Sequence, residues 1–211
     1  RDRWCYRDKP REREKLPSDD TACGCDCDPP VTNSRAWSRQ HPAIDIAAQD
    51  AITDTGEACY LMKQRGITNV IVMGVHTNMC VLGRPFGLRR LAMGGKNVVL
   101  ARDLTDTMVD PGAWPYANHF TGTDLIVSHV ERYVCPTISS DQVLGGQEFR
   151  YKSDRRPHLV MLIAEDEYKT NTTLPPFAAK HLSQQFRVTT CYASESDPMQ
   201  LLGIEDVASA D

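Results

Sequence analysis

An apolar run followed at once by polar residues and a second apolar pattern lies at residues 69–91. Residues 70–75, Val-Ile-Val-Met-Gly-Val, are apolar apart from one glycine, which predicts a strand buried on both faces. Thr77 and Asn78 follow this strand, and both residue types are favourable helix N-caps. The pattern therefore predicts a buried strand, a short polar turn and a helix that Pro85 starts, kinks or interrupts.

Cys80 falls in the first turn of this predicted helix. A thiol there lies at the positive end of the helix dipole and close to free backbone amides, and both favour the thiolate. Proteins of the α/β class present nucleophiles in this way, on a short turn between a strand and a helix. A buried core cysteine is the commoner fate of a free cysteine, but the position just beyond a strand favours a functional role.

Strand patterns alternate with helical patterns along the rest of the chain. Further strands are predicted at residues 44–46, 97–101, 135–138, 158–165 and 187–192, and further helices at 121–133, at 173–186 and within 50–65, with Asp54 as N-cap and Gly66 as the end. The alternation predicts a parallel, doubly wound α/β sheet with right-handed crossovers. Ligands bind such sheets beyond the carboxyl ends of the strands. Cys80 and Asp103 are therefore expected on the same edge, because each follows a strand directly.

These patterns divide the chain into four segments: a loop-rich stretch at 1–43, a first α/β domain at 44–149, a linker at 150–157 and a second βαβ unit at 158–211. Prolines break any helix in the first segment, where Trp4 and Trp37 are interpreted as anchors onto the body. The second unit has too few residues to complete a sheet of its own. We expect a fragment that is cut at both ends.

The composition excludes some classes of function. The chain has 211 residues and a net charge of −4, which argues against a nucleic-acid-binding surface. No apolar run approaches the ~18 residues of a membrane helix, and no signal peptide is visible. The eight cysteines are scattered, so a disulfide scaffold is not expected.

One cysteine cluster has a spacing like that of metal ligands. Cys23, Cys25 and Cys27 lie at alternate positions among four aspartates, and such thiolates could bind a soft metal such as zinc. Strong zinc motifs use a C-x-x-C pair with a second pair further on, and no second pair is present. We therefore favour a structural loop over a metal site, and no cofactor is expected.

Residues 74–82, Gly-Val-His-Thr-Asn-Met-Cys-Val-Leu, resemble the nucleophile motif of the isochorismatase-like cysteine hydrolases. The resemblance covers about residues 44–146. Within it, residues 78–87 and 102–108 resemble a subfamily in which this domain precedes a ThuA-like (trehalose-utilisation) domain. Residues 165–170 resemble the opening of that second domain, whose fold is related to the class I glutamine amidotransferases.

The resemblance implies that the Cys80 thiolate attacks an amide or imide carbon, with the backbone amides of Met79 and Cys80 as an oxyanion hole. It also implies a cis peptide bond between Val75 and His76. The family's catalytic lysine is replaced here by Ile46, and its catalytic aspartate would lie upstream of the first residue. Two of the three catalytic side chains of the family are therefore missing from this sequence.

Other side chains near the motif are candidates for the missing roles. His76 is a candidate base for Cys80, with a structural role at the strand end as an equal alternative. Arg84 is a candidate source of positive charge near the thiolate, although a solvated or salt-bridged arginine is the commoner case. Asn78 is a further candidate binding residue.

Asp103 is the third candidate binding residue. It either accepts a proton or, as we favour, caps a turn at residues 103–106. His119 and Asp124 resemble features of the subfamily but receive no role, and a solvated surface position is expected for both.

The leading hypothesis is a cysteine-dependent hydrolase that acts on a small C–N-bonded substrate. The alternative is a catalytically degenerate scaffold that binds a small ligand or a partner domain, because the lysine and the aspartate are missing. A small-molecule substrate is expected, without nucleic-acid or membrane partners. The resemblance implies a homo-oligomer, which no residue of the chain indicates independently, and the sequence does not indicate a compartment.

Overall fold

The computed structural model describes residues 5, 7, 10–18, 39, 41–53, 55–165, 167–194 and 196–211. These residues form mixed α/β structure with two three-stranded sheets. The predicted anchors, helix cap and metal ligands lie outside the described residues: Trp4, Trp37, Asp54, Cys23, Cys25 and Cys27.

The first sheet is parallel, with its strands in chain order, β1-β2-β3. Its strands are β1 (Asn69–Val75), β2 (Asn97–Asp106) and β3 (Thr137–Ile138). The helices around it are α1 (Glu57–Gln64), α2 (Leu88–Met93), α3 (His119–Tyr133) and α4 (Asp141–Leu144). The predicted alternation of strands and helices with parallel pairing is confirmed.

Both connecting helices of this sheet cover the same face. Side chains of α2 and α3 form one buried cluster with side chains of β2: Leu88, Leu91, Val98, Leu100, Val127 and Val130. Val70 and Val72 of β1 pack against this cluster. Strands in chain order with crossovers of one hand place successive helices on one face. The predicted doubly wound arrangement is therefore wrong for the described residues.

The opposite face of β1 is open. Ile71, Met73 and Val75 alternate with the residues that pack on the core, and they are 45, 55 and 58% exposed. Side chains along a strand point to alternate faces, so covering one face leaves these three exposed. The prediction of a strand buried on both faces is wrong for this strand.

Two strand predictions need correction. Residues 44–46 form no strand, and Ile46 is 49% exposed. In contrast, β2 runs five residues beyond the predicted end at residue 101. The extension pairs with the end of β1, where Gly74 is opposite Thr105 and Val75 is opposite Asp106.

The second sheet begins with the predicted βαβ unit. It contains β4 (His158–Ile163) and β5 (Arg187–Ala193), which are parallel and joined by α5 (Thr170–His181). Two short elements follow, β6 (Leu201–Leu202), antiparallel to β5, and a 3₁₀ helix (Ile204–Ser209). The helix α5 begins earlier than predicted, so Pro175 and Pro176 lie inside it rather than in its first turn.

The predicted linker packs tightly between the two sheets. The Arg156 guanidinium donates to Asp124 Oδ2 at 2.7 Å and to the Ser183 carbonyl oxygen at 2.7 Å. It also pairs with the two carboxylate oxygens of Asp154 at 2.9 and 2.8 Å. Burial raises the pKa of Asp124 to about 6, against the lowering effect of the Arg156 charge. The expectation that Asp124 is a solvated surface residue is therefore wrong.

Candidate functional site

Cys80 lies in a π-helical turn, Thr77–Val81, that follows β1 after His76. The amides of Met79 and Val81 both donate to the His76 carbonyl oxygen, at 3.0 and 3.1 Å. The predicted α-helical turn at this position is therefore replaced by a wider turn. Such π turns occur frequently at functional sites.

The chain around this turn agrees with two further expectations. The peptide bond between Val75 and His76 is cis, as the resemblance implied. After the π turn the helical path breaks near Pro85, and α2 begins only at Leu88. Cys80 itself is half-buried and is a free cysteine.

Thr77 and Asn78 fasten this turn to the chain at the end of β2. The Thr77 hydroxyl lies 2.6 Å from that of Thr105 and 2.8 Å from the Asp106 carbonyl oxygen. The Asn78 amide donates to the Met108 carbonyl oxygen at 2.9 Å and accepts from the Met108 amide at 3.0 Å. Neither side chain caps a helix, because the N-cap is His76 and it makes no side-chain cap hydrogen bond. The N-cap prediction for Thr77 and Asn78 is wrong.

The three remaining residues predicted near the thiol lie along the same stretch of chain. The Met79 amide, expected in an oxyanion hole, donates to the His76 carbonyl oxygen. His76 is half-buried with an extended backbone. Arg84 is also half-buried, and its backbone amide donates to the Cys80 carbonyl oxygen at 3.1 Å. His76 and Arg84 therefore flank the cysteine on either side in the chain.

The Asp103 carboxylate bonds to the chain that follows β3. Asp103 lies inside β2, and its carboxylate accepts from the Ser140 amide at 3.0 Å, from the Ser140 hydroxyl and from the Phe149 amide at 3.0 Å. Ser140 follows β3, which is on the other side of β2 from β1. The predicted turn at residues 103–106 is strand, so the capping role is wrong. Asp103 instead holds the chain after β3 against β2.

An acid–histidine pair that the sequence reasoning missed lies at the end of β2. His119 Nε2 and Asp106 Oδ1 are 2.6 Å apart, and their side chains are 37 and 26% exposed. Asp106 Oδ1 also accepts from the Thr107 amide at 2.9 Å. Burial alone would raise the pKa of Asp106, but hydrogen bonding and charge from His119, with Thr107 and Thr123, lower it overall. The carboxylate is therefore held ionised beside the imidazole.

Register places this pair next to the cysteine turn. Asp106 is opposite Val75 in the parallel ladder, and neighbouring strands lie about 4.8 Å apart. The chain continues from Val75 through His76 directly into the π turn. One sequence signal could have indicated this pair. Asp106 ends a stretch rich in residues typical of strands, and His119 stands at the start of a helix. The solvated surface position expected for His119 is thus replaced by a partly buried contact with the Asp106 carboxylate.

The comparisons with known proteins add no relative. No family model, no curated protein and no solved structure matches the chain. Among the described residues, no group of three or more histidine, cysteine, aspartate or glutamate side chains is arranged to hold a metal ion. None of the described helices combines the length and the apolar character that crossing a membrane requires.

Proposed function

We propose that this protein is a cysteine-dependent hydrolase that acts on a small amide or imide. The observation that carries the proposal is the half-buried Cys80 on a turn beyond β1, one strand away from the Asp106–His119 pair at the end of β2. A nucleophile and an acid–base pair at one edge of a parallel sheet are the parts that acyl transfer needs. The motif at residues 74–82 and its resemblance to the isochorismatase-like hydrolases support the same reaction.

In the proposed reaction the Cys80 sulfur attacks the carbonyl carbon and forms a C–S bond. The thiol proton passes to a histidine, which returns it to the leaving nitrogen as the C–N bond breaks. Water then attacks the thioester carbon, the C–S bond breaks to release the carboxylic acid, and the proton from water restores the Cys80 thiol. His119 is the proposed proton carrier, because Asp106 orients its ring and stabilises its charged form.

The finer fold assignment belongs with this proposal. Residues 44–149 are proposed as part of an isochorismatase-like domain, and residues 158–211 as the first part of a ThuA-like domain. The parallel β1-β2-β3 sheet and the parallel β4-α5-β5 unit support these assignments.

A matched pair of cysteine variants tests the function. Cys59 is also a free and half-buried cysteine, and its thiol contacts the Pro85 carbonyl oxygen at 3.5 Å. Hydrolysis of a panel of small amides and imides is expected to survive Cys59→Ser and to be abolished by Cys80→Ser. A hydrolase activity that both variants retain would contradict the proposal.

A second candidate function is a scaffold that binds a small ligand without turnover. Two observations favour it: Ile46 stands where the family has lysine, and the Met79 amide is bonded to the His76 carbonyl oxygen. Equilibrium binding of the same amides separates the candidates. Saturable binding to both wild type and Cys80→Ser, with no product formed by either, would favour the scaffold.

A further inference from the structure

We propose that a cleft at the amino-terminal edge of the first sheet binds a small organic carboxylate. The cleft has a volume of about 420 Å³, within the ~300–1,000 Å³ typical of small-molecule sites. Asn69 and Asn97, the first residues of β1 and β2, lie on its lining. Because Cys80 follows the other end of β1, this cleft is separate from the proposed active site.

The charges around the cleft select an anion. Among the described residues that line it, only Arg11 and Lys96 are charged, and both are cationic. The chain as a whole carries a net charge of −4, whereas the two charged side chains of the lining are positive; the Glu131 carboxylate, outside the lining, acts on Cys135. An arginine offers a bidentate fork to a carboxylate, and a lysine adds a point charge.

Two polar side chains of the lining, Lys96 and Asn69, keep donors for a ligand beyond their bonds to other described residues. The Lys96 ammonium donates to the Ile67 carbonyl oxygen, and an ammonium has three donors in all. Asn69 accepts through Oδ1 from Asn97 Nδ2 at 2.9 Å, which leaves the Asn69 amide group as a donor of two N–H bonds. The cations and the amide pair come from three separate parts of the chain and converge on one space.

The rest of the lining is apolar and suits a hydrocarbon body. Val70, Val98 and Val134 contribute to it, and Val98 and Val134 belong to the buried core. Burial raises the pKa of the Cys135 thiol, another lining residue, to about 11. This thiol therefore adds no competing negative charge near neutral pH. The matching ligand has one carboxylate and a compact apolar body.

An alternative role for the two cations is to balance the ends of nearby helices. The helices α2 and α3 end at Met93 and Tyr133, close to the lining residues Lys96 and Val134, and helix C-termini favour cations. That role requires no ligand. The two roles predict different results. Only a ligand site binds a carboxylate, and only in that case does removing the charge of Arg11 or Lys96 weaken the binding.

Benzoate, its neutral isostere benzamide and inorganic phosphate are the probes. Titrations followed by NMR chemical shifts are expected to give saturable benzoate binding, with at least ~10-fold weaker binding of benzamide. Equal affinities for benzoate and benzamide would overturn the role of charge. Tighter binding of phosphate than of benzoate would overturn the apolar body, and absence of saturable benzoate binding would overturn the site.

Variants place the binding in the cleft. Lys96→Gln and Arg11→Gln are each expected to weaken benzoate at least ~5-fold, whereas Lys63→Gln, an exposed lysine of α1 outside the lining, is expected to leave it unchanged. Equal losses in all three variants would contradict the site. Cys80→Ser is expected to bind benzoate as wild type does, so a failure of the proposed hydrolase leaves this inference testable.

Discussion

The Asp106 carboxylate and the His119 imidazole form a 2.6 Å hydrogen-bonded pair one strand away from the turn that carries Cys80. The carboxylate is fixed from the backbone side by the Thr107 amide. Because Asp106 is opposite Val75, a movement of the strand end would shift the pair and the cysteine turn together. This relationship makes the pair the most informative place to alter the proposed chemistry.

Removing either member of the pair is expected to reduce hydrolysis. Asp106→Asn and His119→Gln should each lower kcat by about 10²–10⁴-fold, the usual contribution of general acid–base catalysis. Asp110→Asn is the matched control, since the Asp110 carboxylate accepts from the Gly112 amide of its own loop at 2.8 Å. Steady-state kinetics measure the effect, and an unchanged kcat in both variants of the pair would exclude the proposed proton carrier.

Glu12 joins the N-terminal segment to two helices through a buried ion pair. Its carboxylate accepts from Arg89 Nε at 2.7 Å and from NH2 at 2.9 Å, across 77 positions of sequence, and it contacts His129 Nε2 at 3.1 Å. Glu12→Ala is expected to lower the free energy of unfolding by about 3–5 kcal/mol, because it leaves Arg89 buried without its carboxylate. Urea unfolding measures the change.

An exposed pair provides the control for this prediction. Glu14 and Arg132 are 3.9 Å apart, with side chains 63 and 56% exposed. Glu14→Ala is expected to change the free energy of unfolding by less than about 1 kcal/mol. Similar losses for Glu12→Ala and Glu14→Ala would contradict the buried character of the first pair.

His158 is expected to make stability depend on pH. The side chain is buried, with Nε2 2.9 Å from the Thr189 hydroxyl and Nδ1 3.1 Å from the Ser209 carbonyl oxygen. Burial and the positive charge of Arg187 lower the pKa of His158. The folded state therefore favours the neutral ring. Its contribution is complete above the ordinary pKa of about 6.5 and is lost as the pH falls through the lowered value.

The measurement compares unfolding free energies at pH 7.5 and pH 5. Wild type is expected to lose more stability on acidification than His158→Gln, which has no group titrating at this position. His41→Gln, an exposed loop histidine, serves as control and should keep the wild-type dependence. A steeper loss in His158→Gln than in wild type would reverse the sign and refute the prediction.

Close packing of α3 against the loop after β2 allows no side chain at Gly122. A Cβ atom there would lie 2.7 Å from Val109 Cβ and Cγ1. Gly122→Ala is expected to cost about 1–3 kcal/mol of stability through overpacking, and a second change, Val109→Ala, should restore part of it. Gly112→Ala, which meets only the Asp110 side chain at 3.2 Å, is the control. Thermal unfolding checks all four proteins, and equal stability of Gly122→Ala and Gly112→Ala would contradict the contact.

Local patterns of the sequence were enough to find most elements and the position of Cys80 beyond a strand. The apolar run of β1 and the apolar stripe of α3, with Ile126 and Val130 fully buried, are confirmed. Cys80 comes directly after a strand, as expected. Such features depend on periodicity and on chain neighbours, which a sequence contains. The expected roles of Cys80 and His76 in catalysis stay predictions.

The pairing of β1 with β2 and the packing of α3 determined which residues surround Cys80. β2 continues to Asp106 because the end of β1 supplies ladder partners, and Thr77 bonds across to this extension instead of capping a helix. The contact between Asp106 and His119 exists only once α3 has returned to the sheet edge. Tertiary structure also decided that only one face of β1 is covered. The direction of the crossovers, rather than the apolar character of the strand, determines which face of the sheet the helices bury.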